Sequence, residues 1–133
     1  MPNNMSAVMM RSALGRVRGL GTARSGLPDW WTQRVTAVAL VPLGIWFVVS
    51  LLVHLGDTAQ DMTHWAAIPW NTVLLLAFLF ALFRHVGLGL KVIIEDYVHV
   101  VAVKVAGLLV MKAVVALLWI AATVSVLKLA FSG

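Results

Sequence analysis

The stretch from Thr72 to His99 reads TVLLLAFLFALFRHVGLGLKVIIEDYVH. Thr72 to Phe83 carries no charge, and Arg84 and His85 then interrupt the apolar run. Lys91, Glu95, Asp96 and Tyr97 follow. From about residue 71 to about 94 the run has the ~20 residues that a membrane-spanning helix needs. Ionisable groups at or near membrane depth are expensive, so the default expectation for such a stretch is a functional site.

Two further runs flank it. The first covers about 35–55, meets no charge until Asp57 and has His54 at its end. Pro42 falls inside it, where a missing backbone donor favours a bend. The last covers about 105–129 and is broken by Lys112, placed to snorkel toward the surface. Residues 56–70, GDTAQDMTHWAAIPW, read as a short loop with Trp65 and Trp70 as an aromatic belt. Residues 95–104 read as a short connection or a helix extension. The expected fold is therefore all-α: a three-helix transmembrane domain over 34–131, preceded by a polar tail, 1–33.

Composition agrees. The 133 residues are 62% hydrophobic and only 11% charged, against about half and a quarter in soluble domains. There are no cysteines, which excludes disulfides, Cys-ligated zinc and iron–sulfur clusters held by this chain. The net charge of +5 is not a nucleic-acid signature. Arg11, Arg16, Arg18, Arg24 and Arg34 all precede the first apolar run, which reads as topology. By the positive-inside rule the N-terminus lies inside, the 56–70 segment outside, 95–104 inside and the C-terminus outside. The Arg-rich, acid-poor tail also resembles a transit peptide, but a retained cytoplasmic tail is the preferred reading.

Wound as a helix at about 100° per residue, the central stretch sorts into two faces. Gly89 lies one turn beyond His85, and Asp96 three turns beyond, about 16 Å along the axis. Tyr97 stands beside that face. Arg84, Lys91 and Glu95 share a second face, with Lys91 and Glu95 spaced as an i,i+4 pair. A neutral imidazole at depth is a good axial ligand for haem iron, and a glycine beside it lets a flat ligand or another backbone lie close. Spacing alone leaves three options open for His85. It hydrogen-bonds another helix, the commonest fate of a lone histidine in a span, or it ligates a haem or metal, or it relays protons. His54, His64 and His99 sit at or beyond span ends, and no two histidines are spaced i,i+3 or i,i+4.

The pattern His85-x-x-x-Gly89 followed by Asp96-Tyr97 resembles the D-type membrane-anchor subunit of succinate dehydrogenase. GRVRGLGTARSG, then WWTQRVTAVALVPL, is similar to its alphaproteobacterial branch. The companion C-type anchor usually shows His-x-x-x-Gly-x-Arg-His, whereas here Leu90, Lys91 and Val92 follow Gly89. The resemblance implies a complex in which a flavoprotein oxidises succinate and an iron–sulfur protein carries the electrons. Two three-helix anchors embedded in lipid would then share a haem b and form the ubiquinone site. It implies His85 as one haem ligand, Tyr97 as a hydrogen-bond donor to ubiquinone and Asp96 as a support of that pocket. Arg34 would lie near a haem propionate or the quinone. This chain would not itself oxidise succinate and would hold no catalytic residue of its own. A bacterial inner membrane is implied, with the mitochondrial inner membrane as the alternative. The competing expectation is a small three-helix transporter or assembly protein with a proton path through Arg84, His85 and Asp96.

Overall fold

The computed structural model describes residues 22–133, with side chains from residue 26 onward. Four helices follow in order: α1 Thr22–Val53, α2 Ala59–Ala67, α3 Pro69–Tyr97 and α4 Val101–Ser132. No strand occurs among the described residues. Among the described residues three stretches are long and apolar enough to cross a membrane: Gly26–Val53, Pro69–Tyr97 and Val101–Ser132. At 1.5 Å per residue each exceeds the ~30 Å hydrocarbon core, so the helices tilt or project beyond it.

The helices outrun the apolar stretches at several ends. Of the segment read as a tail, 1–21 lies outside the described residues, and Thr22 onward is already helical. Hydropathy marks the part of a helix that meets lipid, while the backbone bonds continue past it. α1 is unbroken at Pro42, α3 runs on to Tyr97, and α4 begins at Val101 after a three-residue connection.

The 56–70 segment is not a plain loop, because α2 occupies most of it. Its cause is local. Thr58 Oγ1 accepts from the Asp61 backbone N–H at 3.2 Å, and Asp61 Oδ2 accepts from the Thr58 N–H at 3.2 Å. This capping box satisfies two otherwise orphaned donors. The chain reaches it from α1 through Gly56, whose φ of +94° belongs to the left-handed region that glycine enters without strain. Ile68 then ends α2 and starts α3, with Pro69 in the first turn, where its missing N–H costs nothing. Asn71 Nδ2 donates to the Trp65 carbonyl at 2.9 Å and Thr72 Oγ1 to that of Ala66 at 2.5 Å, capping the C-terminal end of α2.

The chain divides into two compact units, Met1–Trp31 and Thr32–Gly133. In the first, the rings of Trp30 and Trp31 meet edge to face at 5.2 Å. In the second, Phe47 of α1 stacks on Phe78 of α3 at 4.7 Å. Phe80 of α3 meets Trp119 of α4 edge-on at 6.1 Å. A Cβ on Gly87 would stand 3.5 Å from Val115, so α3 and α4 approach closely there. Trp65 packs onto Trp46 and His54, at 5.9 and 5.2 Å. Trp70 is exposed.

The buried interior is small. Among the described residues only Ala66, Leu75, Ala81 and Leu88 are buried hydrophobics. Long rows of Val, Leu and Ile face outward on every span. Lipid tails are as apolar as those side chains, so nothing drives the three spans into a thick core by themselves.

Candidate functional site

One polar residue is buried in this scant interior. Thr36 of α1 is 7% exposed. Its Oγ1 lies 3.1 Å from Nδ1 of His85 on α3. The same oxygen is 2.7 Å from the Thr32 carbonyl and 3.1 Å from that of Gln33. A threonine in a helix commonly turns its hydroxyl onto the preceding turn. Here that habit aims the oxygen at α3. One turn earlier, Gln33 Oε1 is buried with no hydrogen-bond partner among the described residues.

His85 is half-buried, and Thr36 engages only one of its two ring nitrogens. Gly89, one turn on, has no atom within 4 Å of where a Cβ would stand. The His85 face is thus packed at Thr36 and open beside it. These residues fit a flat apolar group held at one point: a ring nitrogen left over, and a neighbouring glycine with room in front. Among the described residues no group of three or more His, Cys, Asp or Glu could hold a metal ion.

Asp96 and Tyr97 end α3 and are exposed, Tyr97 by 78%. By the helix rise they stand about 16 Å from His85 along the axis. They form a second locus and do not touch the first. Arg34 is exposed and lies roughly opposite Thr36 around α1, two residues back at about 100° each.

The second face of α3 borders a different neighbour. Arg84 and Lys91 line an open groove of about 280 Å³ between α3 and α4, with Phe83, Met111, Lys112 and Trp119. Lys91 Nζ stands 4.0 Å from Glu95 Oε1, the i,i+4 pair expected from spacing. Arg84 and Lys112 are both exposed there.

A family model for the succinate dehydrogenase/fumarate reductase transmembrane subunit matches residues 9–130. The chain belongs to that family. This transmembrane subunit is also 30% identical over 88 residues to the succinate dehydrogenase hydrophobic membrane anchor subunit of Rickettsia bellii, covering 66% of this chain and 70% of that one. It is 29% identical to the Rickettsia conorii protein of the same name, over 66% and 71% of the two chains. It is 32% identical to the succinate dehydrogenase membrane anchor subunit of Reclinomonas americana, over 57% and 66%. With three spans and Rickettsia relatives, it is a bacterial inner-membrane protein.

Sequence reasoning missed Thr36 and Gln33. The available signal was a hydroxyl in a span otherwise free of polar side chains from Val35 to Phe47. Nothing in the sequence names its partner on another helix.

Proposed function

We propose that this chain is the membrane anchor subunit of a succinate dehydrogenase, holding one side of a b-type haem through His85 and helping form the ubiquinone site at Asp96 and Tyr97. The observation that carries the haem reading is the His85 face. One ring nitrogen is taken by Thr36, the other is left for a ligand, and the space over Gly89 is open. A second ligand to that haem would come from a C-type anchor subunit packed beside this chain. The broad outward apolar faces supply the surface for that second three-helix partner. When bound, the haem supplies a one-electron reservoir near the quinone.

The quinone locus follows from chemistry. Reduction adds two electrons and two protons to ubiquinone, so the site must reach water. Asp96 and Tyr97 end α3 at the inner surface in the positive-inside orientation. The Tyr97 phenol donates to a quinone carbonyl oxygen and binds more strongly as negative charge builds there. Asp96 receives a proton from the aqueous side and passes it on. The electrons arrive from an iron–sulfur subunit docked on that inner face, itself fed by the flavoprotein that oxidises succinate. Arg34 sits at the inner end of the first span, and its place near the propionates or the quinone rests on the family resemblance alone.

The transporter reading loses support. Arg84 borders the α3–α4 groove, whereas His85 turns to α1, so the two do not line one path with Asp96.

The test is a reduced-minus-oxidised spectrum of the purified complex. His85→Ala is expected to lower the b-type haem signal severalfold per flavin and to weaken pairing with the second anchor. A wild-type complex with no b-type signal and no succinate–quinone activity overturns the reading.

A further inference from the structure

The hydrogen count at Thr36 decides which nitrogen of His85 is left for a ligand. A threonine hydroxyl has one hydrogen to give and two lone pairs to receive. Two of its three neighbours, the carbonyls of Thr32 and Gln33, can only accept. The Thr32 oxygen is the nearest, at 2.7 Å, the usual O–H···O distance. Two oxygens come that close only with a hydrogen between them. The hydroxyl hydrogen therefore goes to Thr32, and the 3.1 Å contact with the imidazole must be supplied by the ring. Nδ1 carries the hydrogen and donates to Oγ1, while Nε2 keeps its in-plane lone pair. At 7% exposure Thr36 has little water to compete for the bond.

We infer that Thr36 is a positioning residue that fixes the tautomer and ring plane of His85, presenting Nε2 as the electron-pair donor. This inference rests on the reading of His85 as the haem ligand and adds to it. A hydroxyl that donates to Thr32 is polarised and becomes a better acceptor. An imidazole whose Nδ1–H is drawn toward that oxygen is a stronger electron-pair donor at Nε2, and a stronger donor favours the ferric state. Thr36 thus holds the haem potential below the value an unbonded histidine would give. The Thr32 carbonyl is part of the device, because it takes the hydrogen that would otherwise turn toward the ring and select the other tautomer.

The test uses the intact complex with two substitutions. Thr36→Val keeps the shape and removes the hydroxyl, while Thr36→Ser keeps the hydroxyl and removes the methyl. Flavin content and dye-linked succinate oxidation report assembly and are expected to stay at wild-type level in both. Thr36→Val is expected to raise the haem midpoint potential and weaken haem retention about 10- to 100-fold, the usual range for losing an outer partner of a metal ligand. Thr36→Ser is expected to keep both near wild type. An unchanged potential and retention in Thr36→Val overturns the inference. So does an equal change in Thr36→Val and Thr36→Ser, which would make Thr36 a packing residue. If Thr36→Val does not accumulate, the wild-type chain decides. Nitrogen-15 shifts of histidine labelled in this chain alone, within the complex prepared without haem in lipid nanodiscs, should show His85 protonated at Nδ1 and bare at Nε2, identified by its loss in His85→Ala. A proton on Nε2 overturns the inference. The reading of His85 fails separately, if His85→Ala keeps the full b-type spectrum.

Discussion

At the scale of single residues, α3 holds His85 and Tyr97 in different environments. His85 is half-buried against Thr36, and Tyr97 is 78% exposed at the helix end. Their environments predict different mutant behaviour. In the proposed quinone site, removing the Tyr97 hydroxyl would take away a donor that matters most as the quinone oxygen gains charge. Tyr97→Phe is expected to lower quinone reduction about 100- to 1000-fold, the scale of losing one donor to a developing oxyanion. Dye reduction by the flavoprotein should be nearly unchanged, because an exposed tyrosine carries little packing. Parallel assays of the two activities check this, and equal losses would mean an assembly defect. The positions of His85, Asp96 and Tyr97 were legible because they lie on one helix, where spacing converts to angle and rise. Thr36 was not, since its partner is 49 residues away and nothing local links them.

Among the elements, α2 is the one that the apolar pattern did not reveal. Its cause lies in four residues, Thr58 to Asp61, whose side chains and backbone bond reciprocally. Hydropathy does not register a capping box, and nine residues are too few to show a periodic face. The hydrogen bonds from the Thr58 side chain and then its backbone hold the Asp61 carboxyl below its ordinary value of 3.8. A lowered carboxylate contributes stability that is complete above the unfolded value and is lost as pH falls through the folded one. The capping contribution should therefore be constant at neutral pH and begin to decline only as pH falls below 3.8 toward the lowered folded value. Thr58→Ala should destabilise α2 by about 1 kcal/mol, the usual cost of losing a threonine N-cap. Faster amide exchange confined to 59–67, with α3 unaffected, is the expected result. Protection equal to wild type in that segment would show that packing on Trp46, not the cap, holds α2.

For the whole molecule, scarcity of interior is the governing fact. Four buried apolar residues and one buried threonine among the described residues do not make a self-sufficient core. Expressed without the other subunits, the chain is expected to accumulate poorly in membranes and to show no b-type signal. Coexpression with its partners should restore both, as read by immunoblot and difference spectrum. Wild-type abundance alone would argue that the exposed faces need only lipid. Sequence by itself determined the membrane spans, the all-helical class, the family and the register of His85, Gly89, Asp96 and Tyr97 along one helix. These follow from composition and from a repeat of about 3.6 residues, both local properties. Only the tertiary structure decided which face of α1 meets α3, and so that Thr36 stands against His85. From Val35 to Phe47 α1 carries one hydroxyl and is otherwise apolar, so no polar stripe marks the face it turns to α3. Which faces meet is then set by close packing of a few side chains, such as Phe47 on Phe78. Such contacts leave no trace in hydropathy.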